Sequence, residues 1–238
     1  MAFCPSMIAS ADPGLCESVD IYCERTSAAL FAEPLNAISN VAFFVAAWVA
    51  WREFRRAHGP GGDPLLVALI GVVPIVGLGS LLFHTVATRW AEWGDVIPIL
   101  IFMLMYLWLA MRRYLFWPAW LAVIVLLGFF FLTFNLEAKV PAEVLWGGAM
   151  YLPTLVALVA IAFAPNDWPR YVRHPIIAAV ACFLLSFTFR TLDAHICPTL
   201  PIGTHYAWHI LNATTLYLLL RAAILYGRPA VHTTHARA

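Results

Sequence analysis

Charge is what this sequence has least of. Only 11% of its 238 residues are Asp, Glu, Lys or Arg, while 63% are hydrophobic. A soluble globular domain is usually about a quarter charged. The shortage excludes an ordinary soluble domain and leads us to expect an integral membrane protein with nearly all of its length in the bilayer. The formal net charge of +1 leaves no basic footprint, so no nucleic-acid partner is expected. The first thirty residues hold Asp12, Glu17, Asp20 and Glu24 against one basic residue, Arg25. They lack a basic start and an apolar run, so they do not read as a signal peptide. Low-complexity tracts and clear internal repeats are missing, as is the pair of broken spans that marks many transporters. There is no sizeable extramembrane domain and no evident protein partner.

What is present is a series of long apolar runs. A stretch of about 20 apolar residues spans a bilayer as a helix. Seven such segments can be drawn, at roughly 34–52, 64–87, 94–111, 115–134, 143–164, 174–192 and 204–226. The fold expected is therefore all-α, with seven transmembrane helices. Residues 1–33 form an N-terminal segment, 34–226 the helical domain and 227–238 a tail. Lys and Arg set the orientation. The first, third and fifth connections and the C-terminal end hold ten: Arg52, Arg55, Arg56, Arg112, Arg113, Arg170, Arg173, Arg221, Arg228 and Arg237. The other side holds Arg25, Arg89, Lys139 and Arg190. This bias predicts a cytoplasmic C-terminus and an N-terminus outside.

The chemistry-bearing stretch is His205-Tyr206-Ala207-Trp208-His209, at the start of the last segment. Histidines four apart on a helix share one face, one turn apart. His84 lies near the end of the second segment, and Asp95 just inside the third. With the predicted topology, all four fall in the outer part of the membrane at comparable depth. Ionisable groups there are costly and are functional candidates by default. Three imidazoles plus a water is a common catalytic zinc arrangement, in which the metal acidifies the water. Asp95 could carry the proton. Ser80, four residues before His84 on the same helix face, could donate to an oxygen gaining negative charge. For each histidine alone the plainer reading is a hydrogen-bonded packing residue. Haem is the other rival: two ligands on one helix cannot occupy opposite faces of a macrocycle, although His84 with one of the pair could.

Cys4, Cys16, Cys23 and Cys197 all fall on the predicted outer side, where disulfides persist, and they permit three pairings. One of these, Cys23 with Cys197, would tie the N-terminal segment to the loop before the histidine pair. Cys182 lies within the sixth segment.

These motifs, in this order, resemble a known pattern. Ser80-x-x-x-His84, Asp95 and His205-x-x-x-His209 look like the signature of the CREST superfamily, which holds alkaline ceramidases, progestin and adipoQ receptors and related membrane hydrolases. The likeness is closest to the alkaline ceramidases. It extends to Cys23-Glu24, to Glu33-Pro34-Leu35-Asn36-Ala37-Ile38-Ser39-Asn40, to Asp193-x-x-x-Cys197 and to the run from His205 to Leu211, covering about Asp20 to Tyr226. The resemblance implies seven helices around an intramembrane zinc held by His84, His205 and His209, with Asp95 handling the proton and Ser80 assisting the oxyanion. It implies hydrolysis of ceramide, or a similar N-acyl lipid, to a sphingoid base and a fatty acid. It also suggests a Cys23–Cys197 disulfide. The alternative within the superfamily is a receptor-like lipid-binding or signalling protein.

Alkaline ceramidases can also carry calcium in the N-terminal segment. Calcium takes six to eight oxygens, and Asp20, Glu24 and Glu33 are the carboxylates expected to serve it here. The pattern departs from the family at this point. With Cys23-Glu24 aligned, Ile21 stands where the family has Asp and Thr26 where it has Asn, and the stretch to Glu33 is two residues shorter.

Overall fold

The structure, a computed structural model, describes residues 3–226 apart from 60, 61 and 166. The tail at 227–238, with Arg228, Arg237, His232 and His235, lies outside the described residues. All regular elements among the described residues are helical, and the sole β-pairing among them is an isolated antiparallel bridge between Ser18 and Thr88.

A short α1 (Ser6–Ala11) and a turn at Pro13–Cys16 open the chain. Then come α2 (Pro34–Ser39) and α3 (Val41–His58), which follow one another through Asn40 as one run. The bundle continues with α4 (Pro64–Val86), α5 (Arg89–Leu109), α6 (Ala119–Lys139), α7 (Ala142–Leu145), α8 (Leu152–Ala162), α9 (Arg170–Ile196) and α10 (His205–Leu225). Chain chemistry sets several ends. Asp63 caps α4 by accepting from the Leu65 amide at 3.0 Å, with Pro64 at the first helical position. At its far end, α5 loosens into a π-turn over Ala110–Tyr114.

Six of the helical runs are long and apolar enough to cross a membrane: Pro34–His58, Pro64–Val86, Arg89–Tyr114, Ala119–Lys139, Arg170–Ile196 and His205–Leu225. The protein is an integral membrane protein. The predicted fifth segment, 143–164, differs from the others. It is divided into the one-turn α7, a turn and α8, leaving an apolar helical run of Ala149–Ala162. At 1.5 Å per residue that run is roughly 21 Å long, short of a hydrocarbon layer of roughly 30 Å. The break has a cause. The chain turns at Trp146 and Gly147, both with positive φ (48° and 72°). Arg190 of α9 donates to the carbonyls of Trp146 (2.8 Å) and Leu145 (3.5 Å), and Glu137 of α6 accepts from the Met150 amide at 2.8 Å. Unwound backbone at this depth is tolerated when neighbouring groups satisfy it.

The last helix, α10, is central. It packs against α9 and α3, and more lightly against α2 and α4, while α4 lies along α5. Small residues let these helices close: Ala46, Ala47 and Ala50 on α3, with Ala213, Ala222 and Ala223 on α10, are all buried. Close packing of small residues is the main attraction between helices where lipid removes the hydrophobic drive. In contrast α6 buries only Ala122, Phe129 and Thr133 and leaves Trp120, Ile124, Leu127 and Phe131 exposed, as expected of a lipid-facing helix.

Candidate metal centre

The N-terminal segment crosses over one end of this bundle and is fastened there. Cys4 is bonded to Cys16, and Cys23 to Cys197. The Val19 amide donates to the Ala87 carbonyl (2.9 Å) and the Arg89 amide to the Glu17 carbonyl (3.0 Å). This holds residues 17–19 along the α4–α5 turn. Both Glu24 carboxylate oxygens accept from the first amides of α2, those of Leu35 (2.7 Å) and Asn36 (2.8 Å). A carboxylate is well placed at a helix N-terminus, where amides lack partners. Asp193 fastens the same junction from the other side. Its carboxylate accepts from the amides of Thr204 (2.5 Å), His205 (2.9 Å) and Cys23 (3.0 Å). Asp193 thus caps the start of α10, while Arg190 serves the broken fifth segment.

Beneath that strap His84, His205 and His209 meet. All three are buried, at 0, 2 and 1% exposure. Their ring centroids are 4.6 Å (His205–His209), 4.7 Å (His84–His209) and 5.1 Å (His84–His205) apart. One ring nitrogen from each lies within 4.8 Å of the others. The remaining contacts orient the rings. His84 Nδ1 is 2.6 Å from Glu33 Oε2, and His209 Nδ1 is 2.7 Å from Ser39 Oγ. His205 stacks on Tyr22 at 3.6 Å and 18°. His84 Nε2 and His205 Nδ1 are buried without any hydrogen-bond partner. Such orphaned groups are expensive unless something occupies the space between them. Three imidazoles converging this way are a donor set suited to a borderline-soft divalent metal.

The acid and the hydroxyl lie alongside. A side chain at Gly79 would collide with the Gly94 carbonyl, so only glycine permits this approach of α4 to α5. The next residue on each helix is Ser80 and Asp95. Ser80 Oγ is 3.4 Å from His209 Nε2. Asp95 Oδ1 is sealed without a hydrogen-bond partner. Asp95 also lines a cavity of about 270 Å³ with Tyr22, Glu137, Tyr151 and Arg190. Tyr151 lines in addition a narrow apolar slot of about 60 Å³, bounded by Phe102, Met103, Phe129 and Leu216, that runs between the helices.

The model of the Ceramidase family matches residues 17–233. The chain belongs to the Ceramidase family. Membership makes it an amide hydrolase, and the family points to lipid as substrate and to ceramide hydrolysis. Comparison with curated proteins gives no match.

Against this family background the structure brings together His84, His205 and His209, with Ser80 and Asp95 beside them. It does not bring together Asp20, Glu24 and Glu33. Asp20 is exposed, Glu24 is committed to the α2 amides, and Glu33 is buried among other partners. Among the described residues the histidine triad is the group of His, Cys, Asp and Glu side chains compact enough to share an ion. Glu33 accepts from Asn36 Nδ2 (3.0 Å), Arg25 Nε (2.5 Å) and His84. Burial alone would raise its carboxyl, but the hydrogen bonds of His84, Asn36 and Arg25 outweigh burial and hold it below the ordinary carboxylate range.

Sequence reasoning missed Ser39, Tyr22 and Arg25. Ser39 had a signal, being part of a polar Asn36-x-x-Ser39-Asn40 cluster at the head of an apolar run. Tyr22 and Arg25 had none, because their roles arise from contacts across the strap.

Proposed function

We propose that this protein is a zinc-dependent intramembrane amidase that cleaves ceramide, or a closely similar N-acyl lipid, to a sphingoid base and a free fatty acid. The observation that carries this reading is the buried triad with its orphaned His84 Nε2 and His205 Nδ1, in a chain of the Ceramidase family. His84, His205 and His209 hold the ion. A zinc there supplies a Lewis acid and lowers the pKa of water at the site.

The protein's own groups do the rest. Glu33 and Ser39 engage the Nδ1 atoms of His84 and His209, which leaves Nε2 of each for the ion, the usual work of partners behind metal-bound imidazoles. Asp95 takes the proton from the attacking water as its oxygen bonds to the amide carbon. The Ser80 hydroxyl donates to the carbonyl oxygen as negative charge builds there. When the carbon–nitrogen bond breaks, Asp95 returns the proton to the leaving amine. The slot beyond Tyr151 is apolar and suits the acyl chain, whereas the cavity at Asp95 carries Arg190 and Glu137 and suits a polar headgroup. The basic bias and the two disulfides support an orientation with the strap and the site on the outer side of the membrane.

The test combines metal analysis with product analysis. Purified protein should hold about one zinc per chain, show no haem absorbance and release fatty acid from ceramide within a panel of N-acyl lipids read by mass spectrometry. His205→Ala should lose both zinc and turnover. Full zinc occupancy in that variant would sink the ligand assignment.

A further inference from the structure

The side chain of Arg25 is buried beside the metal centre, on the strap, and its guanidinium donates to four oxygen acceptors. Nε donates to Glu33 Oε1 at 2.5 Å. One terminal nitrogen donates to the carbonyls of Ser27 (3.1 Å) and Ala29 (3.4 Å), and the other to the carbonyl of His84 (3.3 Å). Arg25 is 6% exposed and Glu33 2%. The second Glu33 oxygen is the one that engages His84 Nδ1. The guanidinium thus grips a candidate metal ligand twice, through its orienting carboxylate and through its own main chain.

A carboxylate and three main-chain carbonyls are the donors a hard cation such as calcium takes. Here they surround a guanidinium. The carboxylates expected for calcium do not fit that ion: Asp20 is exposed, both oxygens of Glu24 are held by α2 amides, and both oxygens of Glu33 are engaged. We propose that the Arg25 guanidinium is a built-in cation that positions the Glu33–His84 pair, and that this chain needs no calcium in its N-terminal segment. Arginine suits the task, because it stays charged when buried and its planar fork reaches several acceptors at once. Arg25 is a positioning residue: it touches neither substrate nor metal and acts through Glu33 and His84. The zinc part of this inference rests on the triad reading above, while the calcium part does not.

The experiment uses the full-length protein, stripped of divalent ions and reloaded with zinc alone. Calcium added to millimolar concentration, about the weak end of its biological sites, should leave the melting temperature and the turnover of the wild type unchanged. In Arg25→Ala the zinc affinity, measured against a competing chelator, should fall by about 10–100-fold, the usual effect of removing support behind a metal ligand. Arg25→Lys should recover only part of the loss, since one ammonium cannot span the same acceptors. A wild-type melting temperature that rises with calcium would overturn the proposal, and so would wild-type zinc affinity in Arg25→Ala. The calcium titration needs no variant, so it decides even if Arg25→Ala does not fold. A wild type that holds no zinc would instead remove the triad reading, and the calcium titration would still decide this one.

Discussion

Ser39 Oγ lies 2.7 Å from Nδ1 of His209, across the packing of α2 against α10. The same hydroxyl is 2.8 Å from the Asn36 carbonyl, to which it donates. With its proton committed there, the oxygen accepts from Nδ1–H, and the His209 tautomer is set with its lone pair on Nε2. A metal-binding imidazole needs this kind of support. Ser39→Ala should therefore lower zinc affinity by up to about 10–100-fold while leaving the helices intact, because an alanine fits where a serine did. Chelator competition and far-UV circular dichroism on one preparation read the two effects. An unchanged affinity would mean that the His209 ring is held by packing alone.

The triad, the acid and the hydroxyl were legible in the sequence because each stands out against an apolar background. His84, Asp95, His205 and His209 are costly where they lie, and the i,i+4 spacing places Ser80 with His84 and His205 with His209. The bounds read for the second and last segments, 64–87 and 204–226, lie within one residue of α4 and α10. The broken fifth segment was not legible, since residues 144–164 carry no charged side chain and the Gly147-Gly148 pair does not by itself mark a break. The break depends on Arg190 and Glu137, which come from other helices and satisfy the freed backbone. Glu33 was read as a calcium carboxylate because the ceramidase resemblance implies calcium in the N-terminal segment. Its partners in space are Arg25, Asn36 and His84, and only the folded strap reveals them.

The Cys23–Cys197 bond closes a sequence separation of 174 residues and sits at the junction that Asp193 holds. Tyr22, next to Cys23, stacks on His205. Breaking this bond should loosen the strap over the metal and not merely lower stability. Paired Cys23→Ser and Cys197→Ser substitutions should reduce the melting temperature and speed zinc loss to a chelator, whereas Cys4→Ser with Cys16→Ser should leave zinc loss near wild type. Equal rates of zinc loss in the two double variants would count against a specific role for the Cys23 junction.

At the other end of the bundle Arg113 donates to Asp63, joining the end of α5 to the start of α4. The hydrogen bond from Arg113 holds the Asp63 carboxyl below its usual value, against a smaller opposing effect of burial. A carboxyl depressed in the folded state adds stability that is full above the ordinary aspartate range, near about pH 4, and is lost as pH falls through the folded value. The pair is partly exposed, so the gain is no more than about 1 kcal/mol. Asp63→Asn keeps the helix cap and removes the charge. Its melting temperature should lie slightly below wild type at pH 7, and the two should converge toward pH 3. A gap that persists at pH 3 would assign the effect to packing.

Asp95 separates proton transfer from metal binding. It stands on α5 beside Ser80 because Gly79 lets the helices touch. It is not one of the three ring-nitrogen donors gathered at the centre. Asp95→Asn keeps the shape of the side chain and removes the base. Zinc content should stay at the wild-type level while the single-turnover rate falls by about 10²–10⁴-fold, the usual worth of a positioned acid–base group. Ser80→Ala should cost about 10²–10³-fold if its hydroxyl is one oxyanion donor, again with zinc retained. Zinc content and rate must come from the same preparations, because a lost metal would mimic a lost base. If Asp95→Asn arrives without zinc, the carboxylate is a ligand, and the division of labour between the triad and Asp95 is wrong. If it keeps zinc and turns over at the wild-type rate, the proton travels by another group, and Tyr22, on the wall of the same cavity, is the first to substitute.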